Sequence, residues 1–100
     1  MEQFEIAFSE QANTDIQNLS NTIMYQYHAP LTAFKYLQGL LDEIKKLKTN
    51  ADSYSKKQKN LFQFGYNVRR LNYKKMAIIY SVIDRTVYIL RIIPSSTIIT

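Results

Sequence analysis

The sequence has no cysteine and no tryptophan, one histidine, two glycines and two prolines among its 100 residues. Without cysteine there are no disulfides, thiol nucleophiles or thiolate metal sites. A single histidine leaves no histidine-based zinc site. Two glycines cannot build a glycine-rich phosphate loop, and two prolines cannot build a proline-rich linker. No apolar run approaches the roughly 18 residues that a bilayer requires. The opening MEQFEIAFSEQ is acidic and lacks a long apolar stretch, so it does not read as a signal peptide. The expectation is a cytoplasmic protein with no membrane segment and no cofactor. A chain of this length makes one domain over residues 1–100, and it buries about two-thirds of the surface its unfolded form exposes.

What is present is an ordinary globular composition with an uneven charge. The net charge is +5, but residues 1–50 carry four lysines against six acids, whereas residues 51–100 carry nine cations against Asp52 and Asp84. The halves therefore stand at −2 and +7. A basic half on a small domain is the footprint expected for a polyanion or an acidic protein partner, with solvated loop lysines as the plainer alternative.

Phe4, Ile6 and Phe8 alternate with Gln3, Glu5 and Ala7, a period of two that predicts a first strand. Ser9 is placed to cap a helix over residues 10–28, whose stripe is Ala12, Ile16, Leu19, Ile23 and Tyr27. His28 closes that helix, where the dipole favours a cation. Pro30 opens a second helix over 30–48 with the stripe Leu31, Phe34, Leu37, Leu41 and Ile44, widened by Leu40 and Leu47. The short connection makes the two an antiparallel hairpin. Residues 49–60 lose all periodicity and read as a loop. Three strands follow at 66–71, 75–82 and 86–93, with a tight turn at Asp84-Arg85. The fold class is α+β, in the order β-α-α-β-β-β, with the helical hairpin packed on one face of a small, antiparallel-rich sheet. The first strand joins at an edge or beside the last strand.

Candidate functional residues concentrate in the basic half. Arg69 and Arg70 are neighbours on a strand, so only one can lie on a given face. That one is suited to a bidentate clamp on phosphate or carboxylate, unless the pair is simply solvated. Lys74 and Lys75 extend the same patch from a turn. Arg91 interrupts an apolar strand, so it either serves as a functional cation or pairs with an acid such as Asp15 or Glu5. Tyr66, Tyr73, Tyr80 and Tyr88 are capable of stacking on bases, although strand aromatics usually pack, and Tyr80 is expected in the core. Asp42 and Glu43 are expected in weak surface pairs with Lys45 and Lys46. No carboxylate pair reads as an acid–base couple.

Several segments together resemble the RelE/ParE superfamily of toxins from bacterial type II toxin–antitoxin systems. They are FSEQANTDI, the helix from Phe34 to Leu47, GYNVRRL (65–71), YKKMAIIYSV (73–82) and DRTVYILRII (84–93). The resemblance implies a toxin held inactive by a cognate antitoxin that wraps it. Ile98 and Ile99, if exposed, are then contacts for that partner. Within the superfamily one branch cleaves mRNA in the ribosomal A site and another inhibits DNA gyrase. The cleaving branch usually carries an arginine three residues before the tyrosine of the third strand, and a basic residue shortly after the last strand. Here those places hold Ala77 and, in the tail PSSTIIT, Thr97. Cleavage of RNA needs a base for the 2′-hydroxyl, a cation for the phosphorane and an acid for the leaving oxygen. The departures favour inhibition by binding. An active ribonuclease using Arg69 or Arg70, Lys75, Arg91 and a tyrosine, and a non-toxic binding module, remain the alternatives.

Overall fold

The computed structural model describes residues 3–26, 28–51 and 68–98. Strand β1 (Glu5–Phe8) leads into helix α1 (Glu10–Asn21), a π-helical turn (Thr22–Gln26), helix α2 (Pro30–Lys45) and the short helix α3 (Leu47–Asn50). Strands β2 (Val68–Tyr73), β3 (Met76–Ile83) and β4 (Thr86–Pro94) follow, and a 3-10 turn (Ser95–Thr97) closes the described chain. The sheet order is β1-β4-β3-β2, with β1 parallel to β4 and the other three strands antiparallel. The first strand therefore lies both at an edge and beside the last strand.

Local chemistry explains most boundaries. The Ser9 side chain accepts from the Ala12 N–H at 2.9 Å, capping α1, and donates its own proton to the Leu90 carbonyl at 2.9 Å. One serine thus starts the helix and fastens it to β4. The expected helix over 10–28 is shorter in its α form, because a π turn begins at Thr22. The Thr22 hydroxyl donates to the Asn18 carbonyl at 2.9 Å, a back-bond that competes with the regular ladder. His28 does not cap the helix. It lies beyond it at φ 50°, a left-handed conformation that histidine tolerates better than most residues. The expected helix over 30–48 divides at Lys46 into α2 and α3, so Thr49 and Asn50, read as loop, are helical. Residues 52–60 of that loop lie outside the described residues. Two-residue turns join the meander, Lys74-Lys75 and Asp84-Arg85, with Lys74 at φ 53° and Asp84 at φ 55°. A positive φ at such a turn suits the twist of the flanking strands. Lys75 therefore belongs to the turn and not to β3.

The helices cover one face of the sheet. Leu40, Ile44 and Leu47 pack with Leu71, Ile78, Tyr80, Val87, Ile89 and Ile92, while Ala12 brings in α1. Burying each large aliphatic chain of this kind contributes about 1.5–3 kcal/mol. The buried stripe of α2 differs from the expected one. Ala33, Leu40 and Ile44 point inward, while Leu31 and Phe34 are each 66% exposed beside Met24 and Tyr25 at the closed end of the hairpin. The small Ala33 takes the inward place there, which rotates Phe34 out to solvent.

Opposite faces of a strand alternate, and the register assigns them. Arg69 faces Tyr80 and Leu71 faces Ile78 on the helix-covered side, while Val68, Arg70 and Asn72 face Ser81, Ile79 and Ala77 on the other. In β4 the register slips: Ile79 pairs with Arg91 and Tyr80 with Ile89, so Leu90 is an inserted bulge residue. The side away from the helices carries a second apolar cluster of Val68, Ala77, Ile79 and Ile98, with Leu90 and Ile93 against it.

Candidate functional site

The sheet separates the two neighbouring arginines as alternation requires, and only one is presented. Arg69 is 9% exposed. Its Nη1 approaches the Ala51 carbonyl at 3.5 Å, the same carbonyl that accepts the Tyr80 hydroxyl at 2.6 Å. That carbonyl follows the end of α3, where a cation and donors are favoured. Arg69 and Tyr80 thus tie the end of the helical layer to the sheet, and Tyr80 is the fully buried core residue that the sequence suggested. Arg70 lies on the uncovered face. Its Nε donates to the Asn72 side-chain oxygen at 2.7 Å, which fixes the guanidinium plane. No carboxylate among the described residues pairs with it. A guanidinium held through Nε offers its two terminal nitrogens to a carboxylate or phosphate in the bidentate manner. Asn72 was not singled out in the sequence, and its signal was only its place two residues after Arg70 on a strand.

The two turn lysines part company. The Lys74 ammonium sits 5.2 Å from the Tyr36 ring centre and 5.5 Å from that of Tyr73, and the two rings meet edge-to-face at 5.3 Å. This cation–π cluster docks the meander onto α2. Partial burial, with the Tyr73 hydroxyl nearby, pushes the Tyr36 hydroxyl above the usual tyrosine range. Tyr73 is accordingly a packing residue on the helix-covered side. Lys75 is exposed, and its carbonyl accepts the Ser95 N–H at 2.8 Å.

Arg91 takes the second of its two expected roles. Its Nε and Nη2 donate to Asp15 at 2.8 and 3.1 Å, and Asp15 also accepts the Ile92 N–H at 2.9 Å. The hydrogen bonds to Asp15 raise the guanidinium pKa, against an opposing effect of burial and with the Asp15 charge adding to the rise. This latch lies in a groove of about 940 Å³ between α1 and the end of β4, lined by Gln11, Asn18, Thr22, Ile93 and Thr97. On the surface of α2 and its end, Lys46 and Glu43 form the expected weak pair at 3.1 Å.

Three expected site residues end elsewhere. Tyr66 and Ile99 lie outside the described residues. Ile98, a partner contact only if exposed, is 5% exposed, because the 3-10 turn folds it back onto Val68, Ala77 and Ile79. The excess of cations in residues 51–100 does not make the uncovered sheet face a cationic one. That face is largely apolar, with Arg70 at its β2 side and Arg91 drawn to α1. Tyr88 (38% exposed) and Ile83 (57% exposed) also lie on it, and Ile83 had not been selected from the sequence. Among the described residues no group of three His, Asp or Glu is placed to hold a metal, and no helix is long and apolar enough to cross a membrane.

Two helices on one side of a four-stranded mixed sheet, with β1 at its edge and parallel to β4, define the α+β fold of the RelE/ParE superfamily. The chain belongs to the family of ParE toxins of type II toxin–antitoxin systems, whose model matches residues 6–99. Among solved structures it is similar to a chain of a chromosomal ParDE toxin–antitoxin system from P. aeruginosa, at 18% identity and a TM-score of 0.77, covering 92% of this chain and 96% of that one. It is also similar to a chain of the RelBE2 toxin–antitoxin complex from Mycobacterium tuberculosis, at 17% identity and a TM-score of 0.57, with 92% and 98% covered. None of the curated proteins compared with it matches significantly.

Proposed function

We propose that this ParE-family toxin arrests growth by binding a component of the nucleic-acid machinery, DNA gyrase being the first candidate, and that a cognate antitoxin neutralises it in the cytoplasm. The observation that carries the choice of binding over cleavage is Ala77. In the resemblance to the ribonuclease branch that position holds the arginine of the reaction. Here it is a fully buried alanine, closed over by Ile98 within an apolar cluster. Among the described residues the cations are dispersed: Arg69 at the end of the helical layer, Arg91 on Asp15, Lys74 on two rings. They do not converge on one point with a base and an acid, as phosphoryl transfer to a 2′-hydroxyl requires.

The test has three arms. Induced expression in a bacterial host is expected to stop growth, with rescue by the product of the adjoining reading frame. Purified toxin is expected to block gyrase supercoiling or trap its cleaved DNA. Ribosomes programmed with mRNA are expected to give no A-site cut. A site-specific cut lost on Arg70→Ala or Arg91→Ala would establish the ribonuclease reading instead. Unimpeded growth at high expression would leave only a non-toxic binding module.

A further inference from the structure

Three cations follow the outer strand of the sheet. β2 lies beyond β3 at one side, and Arg70, Lys74 and Lys75 stand along it and on the turn that follows. Arg70 is fixed through its Nε by Asn72, and Lys74 sits over the Tyr36 and Tyr73 rings at 5.2 and 5.5 Å. Lys75 is exposed, and its carbonyl accepts the Ser95 N–H at 2.8 Å, which brings Ser95 and Ser96 to the same end of the sheet. The described carboxylates are elsewhere. Glu5 and Asp84 stand at the opposite end, where β3 turns into β4. Asp15 is engaged by Arg91, Glu43 by Lys46 and Asp42 by the Gln38 amide, while Glu10 lies in the first turn of α1. In the sequence no acid occurs between Asp52 and Asp84, a stretch that carries seven cations. The end of the molecule at the β2–β3 turn is therefore a cationic pole.

These features select a class of partner. Cations spread along an edge suit a repeating anion better than a single small one. At about 3.3 Å per residue, Arg70 and Lys74 are about 13 Å apart along the chain. One strand of B-DNA carries a phosphate every ~3.4 Å of helix axis, so about four fall within that reach. Serine hydroxyls beside the cations are further phosphate donors. No ring is offered here for stacking, because Tyr36 and Tyr73 meet edge-to-face at 5.3 Å under the Lys74 ammonium. The unpaired bases of a single strand call for such a ring, and a duplex does not. We infer that the β2 edge and its turn form a phosphate-backbone contact for double-stranded DNA, with Arg70, Lys74 and Lys75 each on a phosphate. This rests on the gyrase reading above for its setting, in which the toxin touches the enzyme and the duplex that the enzyme holds. A contact of this kind fixes position and adds affinity without reading sequence.

The probe is a short fluorescein-labelled DNA duplex of mixed sequence, titrated with the full-length toxin by anisotropy over a series of salt concentrations. Three phosphate contacts make log Kobs fall with log salt at a slope of about −2.7. Arg70→Gln and Lys75→Gln are each expected to bring that slope closer to zero by about 1, whatever the duplex sequence. Lys74 is left in place, because it also docks the meander on α2. Lys48→Gln is the control: it removes the same charge at the opposite end, where the Lys48 carbonyl accepts the Phe4 N–H, and is expected to leave the slope unchanged. With an unfolding midpoint equal to that of the wild type, Lys75→Gln is also expected to weaken inhibition of gyrase supercoiling. If Lys48→Gln shifts the slope as far as Lys75→Gln does, binding is spread over the whole charge of the molecule and the edge is no site. Binding to phosphatidylserine vesicles through Lys75, with none to the duplex, would make the partner a membrane surface and overturn the inference. If the wild type inhibits gyrase while duplex binding is absent or ignores Arg70 and Lys75, the DNA contact falls and the gyrase reading stands. If the edge binds the duplex and gyrase is unaffected, the contact is kept and the gyrase reading falls.

Discussion

Gly39 is the residue whose chemistry is least replaceable in the helical layer. A Cβ at this position would run into the Tyr73 hydroxyl, and Tyr73 is itself held by Tyr36 and Lys74. Glycine inside a helix costs about 1 kcal/mol relative to alanine, so its presence mid-helix marks a close approach. Gly39→Ala is therefore expected to destabilise the protein by about 1–3 kcal/mol, as overpacking does, in spite of the gain in helix propensity. In a Tyr73→Phe background the obstructing oxygen is gone, and the same change should cost at least about 1 kcal/mol less. Urea unfolding of the four proteins of this cycle measures it; additive effects would show that the ring moves aside without cost. This contact has no sign in the sequence, because it joins residues from two elements and a lone glycine in an apolar helix stripe has several explanations.

At the scale of elements, the edge of β4 beyond the end of β1 is the decisive joint. β1 pairs only with Thr86–Ile89, and the strand edge after that would be bare. Side chains from the start of α1 satisfy it: Ser9 takes the Leu90 carbonyl and Asp15 the Ile92 N–H, while Pro94 has no N–H to satisfy. Open strand edges invite unwanted pairing, and this one is covered by a helix. Asp15→Ala removes charge-assisted bonds to Arg91 and strands a backbone donor, with an expected loss of about 2–3 kcal/mol in thermal or denaturant unfolding. Asp15→Asn keeps an acceptor and should lose less. Much of this level was legible. A period-two run located β1, apolar runs bounded by turns located the later strands, Ser9 located α1, and the Arg91–Asp15 pair was one of two readings weighed from an arginine in an apolar strand. What escaped was set by tertiary packing. The inward face of α2 turned on fitting Ala33 into the hairpin, and the bulge at Leu90 has no local signature. The bulge and the folded-back tail together made the open face apolar where charge counting had suggested a cationic one.

For the whole molecule, topology governs how the fold can be reached. Ser9 bonds to Leu90 across 81 residues, and the parallel β1–β4 pair spans a comparable gap. Such long-range pairing carries a large loop-closure cost, so refolding is expected in milliseconds to seconds rather than microseconds. Stopped-flow dilution from urea, followed by tyrosine fluorescence, checks this. A microsecond phase carrying the full amplitude would mean that the helical hairpin and meander form the stable unit without β1.

The same long closure bears on how such a molecule comes into being in a cell. During synthesis at about 5–20 residues per second, the opening strand waits roughly 4–16 seconds before its neighbour in the sheet has been made. Throughout that interval the Ser9 and Asp15 anchors have nothing to hold, and the apolar sides of α1 and α2 lack the sheet that buries them. A chain built in this order has no finished sheet for as long as it is being translated. An antitoxin made at the same time has that delay in which to be ready.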